Sequence, residues 1–387
     1  MQKRFLIRLG IVLVIVALSA VVFGTPARAQ AMPKIRLQSK WVVQAQFAGY
    51  YEAVAKGYYK DAGLDVSILP GGPDITPEQV VASGGAEFGI DWLPSLLSGR
   101  EAGANLVNIA QVFALSGMRE VSFIDKNIKT GADLKDKKVG VWLFGNQLEL
   151  FADLVKNGMD PENSVGVTIV KQPFDMTLLL DGEVDAAAAM TYNEYAQVLE
   201  SVNPKSGKLY QPSDLNVIDF NVEGTGMLED GIFANADWLA KSGNADVAVR
   251  FIAASLKGWI YCRDNQADCV KTVLDQGPTL GAGHQTWQMN EINKLIWPSK
   301  VGIGLMDPIA FKQTADTSLK YKVITKPADS SAYRTDLAQQ AIKMLTDAKL
   351  DVFGNNFVPL QVTLTEGGKT AQVAPSSEAT MAATATK

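Results

Sequence analysis

The feature that most limits the fold of this chain is an alternation of extended and helical patterns that runs, stops and starts again. Ile35 to Val43 is an apolar extended run. Ala48 to Ala62 carries helical spacing of apolar side chains closed by Gly63 in a left-handed cap, and Leu64 to Leu69 returns to an extended run. Strand, helix and strand in that order predict a parallel βαβ unit. Further on, Thr76 caps a helix with Pro77 at its first position and Gln79 completing a capping box, and Gly84–Gly85 ends it. Ala86 to Gly103 then reads as strand, loop and helix, and Leu106 to Phe113 as another strand.

After Ser116–Glu120 the alternation begins again. Lys138 to Trp142 is extended, Leu143 to Asn146 is a loop, and a helix runs to Asn157 with Gly158 as its stop. A strand, a short helix, a strand at Val184 to Ala189, a loop and a helix follow. Gly231 to Asn235 reads as a return strand, and helical patterns dominate from Asp237 to about Leu350. The fold class is therefore α/β with two lobes, each a mixed sheet flanked by helices, and a cleft between them. Residues 32–120 and 231–364 are expected in the first lobe and 121–230 in the second, with crossings near Gly117–Val121 and Met227–Ile232. Residues 365–387 lack apolar periodicity and are expected to be disordered.

Residues 1–31 read as a secretory signal. Lys3, Arg4 and Arg8 precede the uncharged apolar run Leu9–Phe23, and Ala27-Arg28-Ala29 supplies a small-x-small site, so cleavage is expected near Ala29 or Ala31 and the product in the periplasm. A retained anchor is the alternative, but a span wants about 20 apolar residues. The chain has 36 Lys+Arg against 41 Asp+Glu, and losing Lys3, Arg4, Arg8 and Arg28 makes it more acidic still. Nucleic acid demands a basic footprint and is excluded as a partner. Cys262 and Cys269 are the two cysteines. In an oxidising compartment they are expected to pair, stapling two helices across a turn at Arg263–Asp268; two separate buried thiols are the alternative. With a single histidine, His284, they cannot furnish a metal site.

In an open α/β sheet, ligands collect beyond the carboxyl ends of the strands. The strand-to-helix loops are Val43–Tyr50, Asp91–Leu93, Leu143–Gln147, Gln172–Asp175 and Met190–Glu194. They carry Gln44, Gln46, Phe47, Tyr50, Asp91, Trp92, Phe144, Gly145, Asn146, Tyr192, Asn193 and Glu194, and Trp41 stands just before the first. Aromatic faces beside amides and carboxylates suit a planar, partly polar heterocycle stacked between rings and read at its edge. Gly145 and Asn146, at a helix start, offer backbone N–H groups to an anion. Core packing competes at each position. Tyr51, Ala55 and Tyr58 recur at helical spacing and fit packing better than contact with ligand, whereas Trp41 and Trp92 divide evenly between pocket and core. Tyr192 and Glu194 would otherwise only cap and cover the next helix. No base stands near a nucleophile, because His284 lies far along the chain from every such loop. Asp91 and Glu194 read as hydrogen-bond acceptors at least as readily as an acid–base pair.

At these residues a resemblance becomes specific. The runs GYYEAVAKGYYKDAGLDVSILPGGPD, VVASGGAEFGI, DLKDKKVGV and GEVDAAAAMTYNEY resemble the periplasmic substrate-binding proteins of ABC importers for nitrate, sulfonates and thiamine-pyrimidine precursors, over about Ile35 to Leu350. The sequence is most similar to the thiamine-pyrimidine branch, which includes pyrimidine synthases and binders of pyrimidine precursors or flavins. The resemblance implies a type II-like periplasmic-binding fold that closes on its ligand by hinge motion and passes it to a membrane permease with its ATPase. A monomer without cofactor or metal is expected. The family's phosphate-holding Gly-x-Phe-Gly loop falls on WLFGN, where Phe144 and Gly145 match but Trp142 replaces the leading glycine. The synthases' pyridoxal-phosphate lysine and their consumed histidine fall on Asp91 and Ser95, and their cysteine-rich iron-binding run has no counterpart. The resemblance thus implies capture and delivery of a small heteroaromatic nutrient. A nitrate or aliphatic sulfonate receptor and a synthase-like enzyme are the alternatives.

Overall fold

The computed structural model describes residues 32–143 and 145–375. The expected export signal, Phe144 and residues 376–387 lie outside them. The strands are β1 Lys34–Gln38, β2 Asp65–Leu69, β3 Phe88–Asp91, β4 Leu106–Gln111, β5 Met118–Phe123, β6 Lys138–Val141, β7 Thr168–Lys171, β8 Ala186–Met190, β9 Leu215–Asp219, β10 Gly231–Asn235, β11 Leu360–Leu364 and β12 Ala371–Pro375, besides a short ribbon at 202–209. Two five-stranded sheets result, in the orders β2-β1-β3-β10-β4 and β9-β5-β8-β6-β7. In the first, β1 runs parallel to β2 and β3 while β10 is antiparallel to β3 and β4. In the second, β6 is parallel to β7 and β8 while β5 is antiparallel to β8 and β9. Strands β3, β4 and β8 are buried along their whole length, as strands covered on both faces must be.

The chain passes between the sheets after Gln111 and again before Gly231. The second sheet is thus an insertion that β10 closes by returning to the first.

The first strand is shorter than the apolar run suggests. Its register with β2 ends at Gln38, where the Gln38 amide donates to the Ser39 and Pro70 carbonyls and the Ser39 hydroxyl donates to Leu69. Those side chains satisfy backbone groups that a longer ladder would have used, so residues 40–44 leave the sheet. The following helix also breaks. Ala48–Ala55 and Tyr58–Asp61 are separate pieces around Gly57 at φ +74°.

Helix Ala48–Ala55 lies on Asn244–Asp264. The crossing is close because a Cβ on Gly258 would sit 2.0 Å from the Gly49 carbonyl oxygen, and one on Gly49 would strike the Trp259 ring. Cys262 and Cys269 are disulfide-bonded with their Cα atoms 5.6 Å apart. The two helices they join, Asn244–Asp264 and Gln266–Gln276, meet at Asn265 alone, a tighter turn than Arg263–Asp268.

The expectation of disorder from residue 365 needs correction as far as Pro375, because β11 and β12 pair as an antiparallel hairpin. Asn290 pins it, accepting from Leu360 N–H and donating to the Leu360 carbonyl. Burial contributes little to β12, which explains why apolar periodicity does not reveal it.

Candidate functional site

Each wall of the site begins where a strand ends. Lys40 and Trp41 follow β1, Trp92 follows β3, Trp142 and Asn146 follow β6, Phe174 follows β7, and Tyr192, Asn193 and Glu194 follow β8. These carboxyl-end loops of both sheets converge on one slot. The Trp41 and Phe174 rings, one from each lobe, meet edge to face with centroids 4.8 Å apart. About 40 Å³ of free space remains in the slot, far below the roughly 300–1,000 Å³ of small-molecule sites. A ring can enter only when that contact parts.

Charge is arranged tightly. The Lys40 ammonium pairs with Asp91 Oδ1, with both side chains under a tenth exposed. It lies 4.9 Å from the centroid of the Trp92 ring, a cation–π contact. Burial alone would lower the Lys40 pKa, but Asp91 first, then Glu78 and Asp230, outweigh it and the pKa is raised. Lys40 is therefore charged and already neutralised. Asp91 Oδ1 also accepts from the Trp92 N–H at 2.6 Å.

Three further acids surround the pair. Burial lifts Asp230 to about 7, although the Gln46 amide donates to it at 2.9 Å. Burial lifts Glu194 to about 7 against hydrogen bonds from Met190 N–H and the Asn193 amide. Glu78 is pushed to about 8, first by burial and then by Asp91. A site that holds, among the described residues, one committed cation and four carboxyls favours hydrogen-bond donors over anions. The Gly145 N–H, one of the expected anion donors, is taken by Gln147 Oε1 at 3.0 Å.

Helix Ala282–Ile296 braces the loop after β8. Trp287 Nε1 donates to the Thr191 carbonyl at 2.9 Å, His284 Nε2 lies 2.7 Å from Asn193 Oδ1, and His284 Nδ1 lies 2.9 Å from Glu200 Oε1. Distance along the chain was thus a poor guide to His284, which touches a site loop and positions Asn193.

A family model described as NMT1/THI5 like matches residues 44–268. The chain belongs to the NMT1/THI5-like family. This NMT1/THI5-like chain is 24% identical over 276 residues to a formylaminopyrimidine-binding protein of Halalkalibacterium halodurans, covering 70% of this chain and 79% of that one. It is 23% identical over 355 residues to the riboflavin-binding protein RibY of Chloroflexus aurantiacus, covering 85% and 96%. Among solved structures, the periplasmic aliphatic sulphonate binding protein SsuA of Escherichia coli superposes with a TM-score of 0.58 at 16% identity, over 79% of this chain and 91% of that one. The shared architecture is the periplasmic-binding fold.

Within this NMT1/THI5-like site, the sequence-expected residues separate into three groups. Trp41, Gln46, Trp92, Asn146, Tyr192, Asn193 and Glu194 line the slot. Asp91 and Gly145 line a neighbouring cavity, and Phe144 is not among the described residues. Phe47 and Tyr50 belong to the core instead; Tyr50 packs edge-on against Trp259 with centroids 5.6 Å apart. A turn of 3-10 helix over Ala45–Phe47 rotates them inward, which no residue count from a strand end reveals. Sequence reasoning missed Lys40, Glu78, Trp142, Phe174 and Asp230. Lys40 was hidden by reading the strand through to Val43, and Phe174 stood in a flagged loop without being singled out. Among the described residues no group of His, Cys, Asp and Glu could hold a metal ion.

Proposed function

We propose that this protein is the solute-binding component of an ABC importer, working as a periplasmic monomer that captures a small heteroaromatic nutrient and delivers it to a permease and its ATPase. The observation that carries the reading is the slot itself. Trp41, Trp92, Trp142, Phe174 and Tyr192, drawn from both lobes, surround a narrow space edged by Gln46, Asn146 and Glu194. Rings on both lobes bind a planar ligand only when the lobes close on it, which couples binding to the closed state that a permease reads. The relatives named for formylaminopyrimidine and riboflavin support a ligand of this type.

Binding without chemistry is the reading favoured here, because Asp91 and Ser95 stand where the resemblance puts a synthase's lysine and histidine, and His284 is engaged by Asn193 and Glu200. A sulfonate receptor is disfavoured because Lys40 is spent on Asp91 and the remaining groups are acids. The test is mass spectrometry of what co-purifies with protein from its native host, followed by tryptophan-fluorescence titration with pyrimidines, flavins and aliphatic sulfonates. A response to heteroaromatics alone is expected. A response to sulfonates alone would overturn the reading.

A further inference from the structure

A second space lies at the crossings, away from the slot. It holds about 370 Å³, within the roughly 300–1,000 Å³ of small-molecule sites. One wall is formed by the crossing segments, residues 111–112, 114–116 and 226–228, with Asn221 of the second lobe beside them. The other belongs to the first lobe: residues 294–301, which end helix Ala282–Ile296 and continue past it, and the first turns of helix Pro308–Lys320. The cavity shares no lining residue with the slot, and the crossings stand between the two. An added Cβ on Gly117 would lie 3.0 Å from both the Tyr192 ring of the slot and Leu295 of the cavity. On the second crossing Leu228 lines the cavity, and two residues on, Asp230 accepts from Gln46 of the slot.

The cavity is furnished differently from the slot. Leu115, Met227, Leu228, Leu295, Ile296 and Ile309 give it an apolar lining. Residues 297–300 bring three unpaired donors to it. The Lys300 ammonium is exposed at its edge and makes no ion pair or hydrogen bond to another described residue. Ser299 beside it is 6% exposed, and its hydroxyl has no partner among the described residues. Trp297 is 3% exposed, and its indole N–H has no acceptor. A buried donor without an acceptor is costly, and an anionic oxygen is the strongest acceptor it can be offered. Asp307, the acid on this wall, is engaged by the Ile309 N–H as a helix cap, and Lys294 is paired with Glu291. Lys300 is therefore the charge left for an incoming group.

We propose that this cavity is an effector site for a small amphiphilic anion, an apolar body bearing one negatively charged head, and that filling it holds the two lobes closed. The body lies among Leu115, Leu295 and Ile309, and the head meets Lys300 while Ser299 and Trp297 donate to it. The coupling follows from leverage. Slot and cavity lie on opposite sides of the crossings, and each has walls from both lobes, so a rotation that parts Trp41 from Phe174 narrows the cavity. An occupant resists that narrowing. By linkage, a ligand that closes the slot tightens binding of the effector by the same factor. The site does not depend on which ligand the slot takes, so its failure and that of the heteroaromatic reading are separate.

Isothermal titration calorimetry of the purified protein at pH 7 with octanoate, 1-octanol and octylammonium tests the site. Octanoate is expected to bind once per chain and at least about 10-fold tighter than either analogue, about 1.4 kcal/mol. Lys300→Glu, an exposed change, should weaken octanoate at least about 10-fold while leaving 1-octanol within about 3-fold. Ala310→Phe fills the cavity from its helix wall and should abolish octanoate binding; circular dichroism checks that both variants fold. Small-angle X-ray scattering reads closure: octanoate should lower the radius of gyration of wild type and leave that of Ala310→Phe unchanged. No octanoate binding, equal affinity for the three probes, or octanoate binding unaltered by both substitutions overturns the site. A radius of gyration that stays the same or grows with octanoate bound overturns the coupling.

Discussion

Replacing Lys40 by methionine removes the cation that faces Asp91, Glu78 and Asp230 while keeping most of the side-chain volume. In the native protein the Lys40 ammonium contacts Asp91 and lies within the field of Glu78 and Asp230. Lys40→Met leaves Asp91 buried at 6% exposure with Glu78 beside it and no compensating charge. Breaking a buried pair from one side costs about 3–5 kcal/mol, a large share of the roughly 5–15 kcal/mol that holds a folded domain. Urea unfolding at pH 7 of wild type, Lys40→Met, Asp91→Asn and the double variant measures it. The double variant should recover at least half of the single variant's loss, because it removes both charges together. At pH 5 the Lys40→Met loss should shrink, since Asp230, held near 7 and about half ionised at pH 7, is then protonated and no longer opposes Asp91, whereas Glu78, held near 8, is already mostly protonated at pH 7. A Lys40→Met loss under about 1 kcal/mol, or a double variant as unstable as the single, would refute the reasoning.

Three further outcomes are expected. At the crossings, Ser116 Oγ lies 2.6 Å from Glu149 Oε2 and 3.1 Å from Glu229 Oε1, while Met227 N–H donates to Glu149 Oε1 and Gly117 N–H to Glu229 Oε1. One hydroxyl proton cannot serve two carboxylates, so the pair holds a proton of its own. Burial first raises both groups, Glu149 to about 8, whereas an unfolded glutamate titrates near 4.5. The folded state keeps a proton that the unfolded state has lost, so this contribution is complete below about 4.5 and disappears as pH rises towards 8. Glu149→Gln preserves the contacts without ionising, and its melting temperature should match wild type at pH 5 and exceed it at pH 8; the reverse order would refute the shared proton. Converting both Cys262 and Cys269 to serine should lower stability by about 2.5 kcal/mol, the chain-entropy value for so short a loop, and unchanged urea unfolding would count against it. Gly258→Ala drives a Cβ into the Gly49 carbonyl oxygen, so a loss of about 1–3 kcal/mol is expected by calorimetry, with full tolerance contradicting the close crossing.

Much of the architecture was legible because it rests on local rules. The strands near residues 106–113 and 184–189 announce themselves as largely apolar runs, the signature of strands buried on both faces, and those near 64–69 and 138–142 by valine and isoleucine between turn residues. The loops that follow them could be named in advance, since ligand sites lie at strand carboxyl ends. Cys262 and Cys269 needed only their number and the oxidising compartment expected from residues 1–31. The failures share a different cause. β12 is held by ladder bonds to β11, which Asn290 anchors at Leu360, and hydrogen bonds to distant residues leave no trace in hydrophobic spacing. Phe47 and Tyr50 turn into the core through a single 3-10 turn, a rotation that changes every side chain's direction without changing composition.

The sequence alone determined a two-sheet α/β protein with aromatic and amide-bearing loops at the ends of its strands, because periodicity and turn residues act over a few positions and are written consecutively. Only the tertiary structure decided which of those residues share a site. Lys40 is spent on Asp91, fifty-one residues away. Trp41 touches Phe174 from the opposite lobe, His284 braces Asn193, and Glu78 is left with an unpartnered oxygen beside an open chamber. Such pairings are set by how two sheets dock and how the chain crosses between them, and the energy of a buried charge depends on neighbours that the linear order does not name.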